Sequence, residues 1–380
     1  ILKEEGKTMD RAIVVHPKFQ SGRRIIAVSD IHGNLPFFRS LMEQIRLTPQ
    51  DILVLVGDVL EKGRESLALL RHVMELSRTY TVYYICGNCD GLVLRFFETD
   101  ELDDRFFSSY LPQHPESCLR QMAREKGFDQ TEDLPRLRRD LRAAFPEEWA
   151  FLRAMPTVVE TEHLVFVHGG VPSLHGMENL NRWKCMKNDD FLDQGYSFDK
   201  WVIVGHWPVT LYNPHIPSAA PLLERERKII SIDGGCVLKL DGQLNALILP
   251  DEASEEFTWQ AYDGLPVVTA LDPQQASTDS VNVRWGRSTL ELIERGAETS
   301  LCRHVETGRV LPILNSYLRH TGDRLWCEDS TDYALPVAPG DKLALVARTS
   351  SACLCKKNGV TGWYYGRVAG PAVQPEPREK

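Results

Sequence analysis

Five short segments end apolar runs with side chains that can hold a metal ion. SDIHGN supplies Asp30 and His32, GDVLEKG supplies Asp58, GNCD supplies Asn88, VHGG supplies His168 and VGHWP supplies His206. Asp, Asn and His are hard or borderline donors that suit Mn, Fe, Zn or Mg. A carboxylate can bridge two ions, and two ions about 3.5–4 Å apart make a clamp for a phosphoryl group. Any one of these histidines alone reads more economically as a satisfied polar group at a strand end. Five sites in the same context, each before a glycine-marked turn, argue against coincidence.

The elements that must present them follow from periodicity. RIIAVSD (24–30), DILVLVGD (51–58) and TVYYICGN (81–88) read as buried strands; LPFFRSLMEQIR (35–46) and SLALLRHVMELSR (66–78) carry apolar residues at helical spacing. Such alternation predicts βαβ units, whose ligands gather beyond the carboxyl ends of the strands, where Asp30, Asp58 and Asn88 fall. Residues 100–155 are charged and amphipathic and read as a helical insertion. Strands resume at 163–170, 201–208, 228–235 and 244–250. The expected division is an N-terminal extension (1–20), a catalytic domain (21–250), a linker rich in acidic residues, Pro, Gln and Ser (251–280), an all-β domain (281–370) and a disordered tail (371–380).

Length and composition agree with this division. The 380 residues favour two or three domains, and 43% hydrophobic with 26% charged residues describes a soluble globular protein. A net charge of −9 disfavours general nucleic-acid or anionic-membrane binding. No apolar run approaches the roughly 18 residues of a membrane span, and ILKEEGKTMD lacks the apolar centre of a signal peptide. Residues 1–8, ahead of Met9, read as an upstream start or an appended segment. Nine scattered cysteines, with Cys86, Cys236 and Cys353 in apolar runs, predict reduced thiols and a cytoplasmic protein. CLC at 353–355 has the wrong spacing for a zinc knuckle.

The ordered set SDIHGN, GDVLEKG, GNCD, VHGGVP and VGHWP resembles the calcineurin-like metallophosphoesterases over residues 24–250. Within them it is most similar to the bacterial phosphoprotein phosphatase and diadenosine tetraphosphatase branch, and SIDGGCVLKLDGQLNALIL resembles that branch's closing strands. The resemblance implies a four-layer αββα fold and two divalent cations, manganese first, with iron, zinc or magnesium as alternatives. It assigns Asp30 and His32 to the first ion, Asn88, His168 and His206 to the second, and Asp58 to both. It further implies in-line attack on phosphorus by a metal-bound hydroxide, with no phosphoenzyme.

The departures define the candidate catalytic residues, Cys89, Asp90 and Lys62. Cys89 stands where the branch carries a histidine that protonates the leaving group, and a thiol with a reference pKa near 8.5 is a poor substitute acid. Glu61 takes the place of the Asp that orients that histidine. Lys62 replaces a phosphate-binding Arg and loses its bidentate fork. Substrates with good leaving groups, such as aryl phosphates, or diesters with one charge fewer, suit these changes. GNCD also resembles small phosphodiesterases of the same superfamily, so Cys89 does not imply a dead enzyme; a buried filler beside the metals is the plain alternative. Asp90 is expected to orient His32 or a metal water.

Lesser candidates have blander readings beside them. Arg136, Arg138, Arg139 and Arg142 line a cleft or form a solvated face. Arg182 and Lys184 touch phosphate or solvent, His175 lies on the surface, and Trp207 is a substrate platform or packing. The C-terminal GWYYGRV resembles bacterial SH3-like barrels, with Trp363, Tyr364 and Tyr365 either a peptide- or glycan-docking surface or a core plug. The expected substrate is a phosphoprotein or a small phosphoester. The functional expectations are a phosphomonoesterase of serine/threonine-phosphatase type, a phosphodiesterase or nucleotide hydrolase, or a metal-binding scaffold with weakened catalysis.

Overall fold

The computed structural model describes residues 11–98, 104–128 and 133–370. The expected tail and residues 1–10 of the expected extension lie outside them. Two compact units emerge. The first runs through Trp207 and adds Pro221–Val237 and Leu244–Tyr262; the second comprises Pro208–Ala220, Leu238–Gln243 and the chain from Asp263.

In the first unit the strands Ile25–Val28, Ile52–Leu55 and Thr81–Tyr84 run parallel, and Leu244–Leu249 and Thr258–Tyr262 extend that sheet antiparallel. A second sheet has the order Val14–Val15, Val158–Glu160, Leu164–Val167, Trp201–Val204, Ile229–Ser231, Leu222–Glu224. Alternate residues of both sheets (Ile25, Ala27, Ile52 and Val54 from one; Leu164, Phe166, Ile203 and Ile230 from the other) share one buried cluster, so the sheets pack face to face. Helices cover the other face of the first sheet. Leu35–Gln44 starts where the Asn34 side chain accepts from Phe37 N–H, with Pro36 in its first turn. It buries Phe38, Leu41 and Met42 against Ile26, Val28 and Leu53, at about 1.5–3 kcal/mol for each fully buried large side chain. The outer face of the second sheet (Val165, Val167, Val202, Val204) is equally buried. Between its strands the chain runs as short turns of helix at Met177–Asn179, Arg182–Met186 and Phe191–Gln194. This is the αββα plan with a thin fourth layer.

The insertion is helical as expected, with described helices Asp104–Gln113, Cys118–Glu125, Leu134–Ala144 and Pro146–Arg153. Ser117 and Asp133 cap two of them. Two boundaries need correction. Residues 251–280, read as a linker, carry the edge strand Thr258–Tyr262 and the strand Val267–Ala270 of the second unit. Residues 14–15, read as extension, pair with Val158–Val159. Short edge strands bury few residues, so polar composition masks them.

The second unit is all-β. A five-stranded sheet has the order Val360–Tyr364, Cys353–Lys357, Lys342–Arg348, Val267–Ala270, Val368–Ala369, and a three-stranded sheet joins Leu290–Glu294, Thr299–His304 and Val310–Leu314. Its core includes Val283, Cys302, Leu311, Ile313, Leu354 and Trp363.

Candidate metal centre

Each predicted ligand follows a strand of the first unit by one to four residues. The turns that carry them are strained: Asp30, His32, Asp58 and His206 all have positive φ, between 50° and 65°. Non-glycine residues take that conformation at a cost and persist where the surroundings over-determine them. The loops approach so closely that a Cβ at Gly87 would lie 2.2 Å from Asp58 N, and one at Gly205 would lie 1.8 Å from Ser29 Oγ. The glycines after these strands therefore serve contact between neighbouring loops.

Two groups of donor atoms result, with Asp58 common to both. His32, Asp58 and Cys89 form one and Asp58, His168 and His206 the other, the ligand atoms of each lying within 4.8 Å of one another. His168 Nδ1 lies 2.8 Å from the Val56 carbonyl, which can only accept, so Nδ1 carries the proton. Nε2 then faces Asp58 Oδ1 at 3.3 Å and Asn88 Oδ1 at 3.3 Å. His206 Nε2 lies 2.8 Å from Asp189 Oδ1, a carboxylate that also binds Lys187. Asp30 Oδ2 accepts from Ser29 Oγ and, at 2.9 Å, from the His206 amide, while Oδ1 faces His32 Nε2 at 3.6 Å, too far for a hydrogen bond. Neither ring nitrogen of the buried His32 has a hydrogen-bond partner.

The electrostatics match this crowding. Burial depresses His32 and His206 to about 4, so both rings are neutral. Burial would depress His168 too, but Asp58 and Asp30 outweigh it and raise it to about 10. Asp58 lies well below the ordinary carboxylate range: its burial is overcome by His168 and His32. Burial and Asp233 push Asp30 upward. A buried imidazole with two orphaned nitrogens, beside another whose Nε2 meets two oxygens and can give up its proton to a metal, is a donor set that a divalent cation completes. The residues fit the ions expected of them.

The three catalytic candidates fare differently. Cys89 is buried beside the cluster, its amide donating to Asp58 Oδ1 at 2.7 Å. Asp90 does not reach His32. It accepts from Leu60 N–H, Tyr84 O–H and Gly87 N–H, tying the loops after two strands together. Glu61 does not orient Cys89 either: its carboxylate turns to Tyr110 O–H and Cys118 N–H in the insertion. Lys62 is exposed, and its charge reaches His32 and Cys89.

The arginine cluster is not a cleft. Arg138 is buried on the Phe96 carbonyl and Asp104, Arg136 and Arg139 approach Asp140, and Arg142 covers Trp149. Arg182 is buried, donating to the Met155 carbonyl, and Lys184 and His175 are exposed. Trp207 is half-buried. Trp363 and Tyr364 are buried, which corrects the docking surface; Tyr365 alone of the three is exposed. Sequence reasoning overlooks Asp189 and Lys187, although KNDD begins three residues after the considered Lys184, and Asp233, quoted only as part of a strand.

A sequence profile of the calcineurin-like phosphoesterases matches residues 23–230. The chain is 44% identical over 64 residues to a symmetrical bis(5'-nucleosyl)-tetraphosphatase of Glaesserella parasuis serovar 5, covering 17% of this chain and 23% of that protein. It is 35% identical over 80 residues to serine/threonine-protein phosphatase 2 of Escherichia coli K12, covering 21% and 35%. The matches thus span about a third or less of those relatives. Among solved structures, a putative diadenosine tetraphosphatase aligns with 67% of this chain and 99% of its own, at 17% identity and a TM-score of 0.44.

Proposed function

The chain belongs to the calcineurin-like phosphoesterase family, and from that premise we propose that it hydrolyses phosphoesters with two divalent cations, acting on phosphomonoesters such as phosphoproteins or small aryl phosphates. The observation that carries this reading is Asp58, whose carboxylate is shared by two groups of metal-type donor atoms. Asp30, His32 and Asp58 would hold one ion; Asp58, Asn88, His168 and His206 the other. The ions, with manganese the first to assay, would lower the pKa of a water and neutralise phosphate oxygens. The chain's own contribution is orientation: Val56 fixes the His168 tautomer, Asp189 that of His206, and Asp90 holds together the loops that carry Asp58 and Asn88.

A second reading, hydrolysis of diesters or nucleotides, draws on the anion side. Lys62 offers a point charge rather than a guanidinium fork, which suits a substrate with one charge fewer. The two named relatives divide between these classes. We read the second unit, whose Trp363 and Tyr364 are internal, as an SH3-like structural module. Nine buried free thiols support a reducing, cytoplasmic setting, and among the described residues no helix is long and apolar enough to cross a membrane.

Rates on p-nitrophenyl phosphate and its bis ester with Mn²⁺ test the choice. Monoester turnover is expected to exceed diester turnover and to fall on the order of 10²–10³-fold in Asp58→Asn. Faster diester turnover would favour the second reading. A wild type that binds metal but is inert on both would leave a scaffold.

A further inference from the structure

We propose that Cys89 is itself a cation ligand, its sulfur completing the site formed by His32 and Asp58. This deepens the reading of the metal centre and rests on it.

The geometry is independent of the chemistry first expected of this residue. Cys89 Sγ, a His32 ring nitrogen and an Asp58 carboxylate oxygen lie within 4.8 Å of one another, the spread of donors around one ion. His32 is buried and neither ring nitrogen makes a hydrogen bond, although Asp30 Oδ1 at 3.6 Å and the Leu60 backbone lie near, so the ring keeps a nitrogen for an ion. The backbone holds the sulfur there, because the Cys89 amide donates to Asp58 Oδ1 at 2.7 Å. Asn88, whose Oδ1 faces His168, turns its Nδ2 toward Cys89 Sγ at 3.5 Å. One amide thus offers oxygen to one site and an N–H to the sulfur of the other, as outer partners of metal ligands do.

Coordination forms a sulfur–metal bond as the S–H proton leaves to solvent; no oxidant is involved. The two sites then differ in kind. The His32 site gains a soft donor and favours Zn²⁺, Fe²⁺ or Co²⁺, whereas the His168 site offers only nitrogen and oxygen and accepts Mn²⁺ or Mg²⁺. On this view Cys89 selects a metal rather than protonating a leaving group.

Cobalt titration of the full chain tests this. A sulfur-to-cobalt charge-transfer band in the near ultraviolet is expected in the wild type, lost in Cys89→Ser and kept in Cys86→Ser, whose thiol is a buried neighbour. Cys89→Ser should also lose on the order of 10–100-fold in Zn²⁺ affinity, while Mn²⁺ affinity changes far less. X-ray absorption at the zinc edge of the wild type needs no variant, and should show one sulfur at about 2.3 Å. A protein that binds cobalt and hydrolyses phosphoesters but shows no sulfur band, no sulfur scatterer, or a band that survives Cys89→Ser overturns the proposal and leaves the phosphoesterase reading standing. A wild type that takes up no cobalt or zinc overturns both.

Discussion

His168 Nε2 and Asp58 Oδ1 lie 3.3 Å apart, inside a fully buried pair whose other ring nitrogen is committed to the Val56 carbonyl. Without a cation this contact is an imidazolium paired with a carboxylate, because Asp58 and Asp30 outweigh burial and raise His168 to about 10. A folded value above the ordinary 6.5 means that the stabilisation is complete below pH 6.5 and is lost as pH rises through 10. The chelator-treated protein should therefore lose Tm between pH 7 and pH 10 more steeply than the cation-loaded protein. Cation uptake at pH 7 should also release about one proton from this ring. Calorimetric heats that are identical in Hepes and Tris, once dilution is subtracted, would refute that exchange.

Asp189 is the partner of His206, which projects from a strained turn at φ 65°. Asp189→Ala should free the ring to rotate and cost on the order of 10–100-fold in metal affinity. The carboxylate is half exposed, so the stability of the cation-free protein should change by no more than about 0.5 kcal/mol. Equilibrium dialysis and a denaturant melt of the same variant separate the two effects. A loss of stability without a loss of affinity would make Asp189 structural.

Glu61 predicts a pH dependence of the same sign in a lower window. Burial, only partly offset by Tyr110 and Cys118, raises its carboxyl to about 7. The folded protein then keeps a proton that the unfolded chain releases, so stability declines as pH rises from 4.5 to 7. Glu61→Gln removes that loss. Its stability relative to wild type should improve by on the order of 2 kcal/mol between pH 5 and pH 8; a constant difference across that range would mean that Glu61 is ionised throughout.

The contrast between Asp189 and the five strand-end motifs shows what is legible in the chain. Asp30, Asp58, Asn88, His168 and His206 each follow an apolar run of strand length and have a glycine within three residues, so a local pattern locates them, and the packing of two sheets brings them together. Asp189 lies in no regular element and meets His206 only through tertiary structure. The partners of Glu61 are hidden for a similar reason: its direction depends on how the insertion's Tyr110 and Cys118 dock. Burial decides GWYYGRV as well, because strand alternation cannot say which face is covered when both are: Trp363 lies in one buried cluster and Tyr364 in another.

In the second unit, Trp363 is buried with its Nε1 donating to the Thr331 carbonyl at 2.9 Å, whereas Tyr365 is exposed. Trp363→Ala should destabilise that unit by about 3–5 kcal/mol, and Tyr365→Ala by no more than about 0.5 kcal/mol, read from its denaturation transition. A silent Trp363→Ala would restore the case for a docking aromatic.

Lys62 separates the two substrate readings. It is exposed at φ 69°, three residues beyond Asp58's neighbour Val59, and its charge reaches His32 and Cys89. Alanine and arginine there bear the same backbone strain as lysine, so differences among the three report the side chain. Lys62→Ala should raise KM for p-nitrophenyl phosphate about tenfold more than for the bis ester, since a dianion loses more than a monoanion when a nearby positive charge is removed. Lys62→Arg should lower the monoester KM, because the guanidinium fork grips two phosphate oxygens at once. Equal KM changes for both esters in Lys62→Ala would place the lysine outside the anion site and leave substrate choice to another cation.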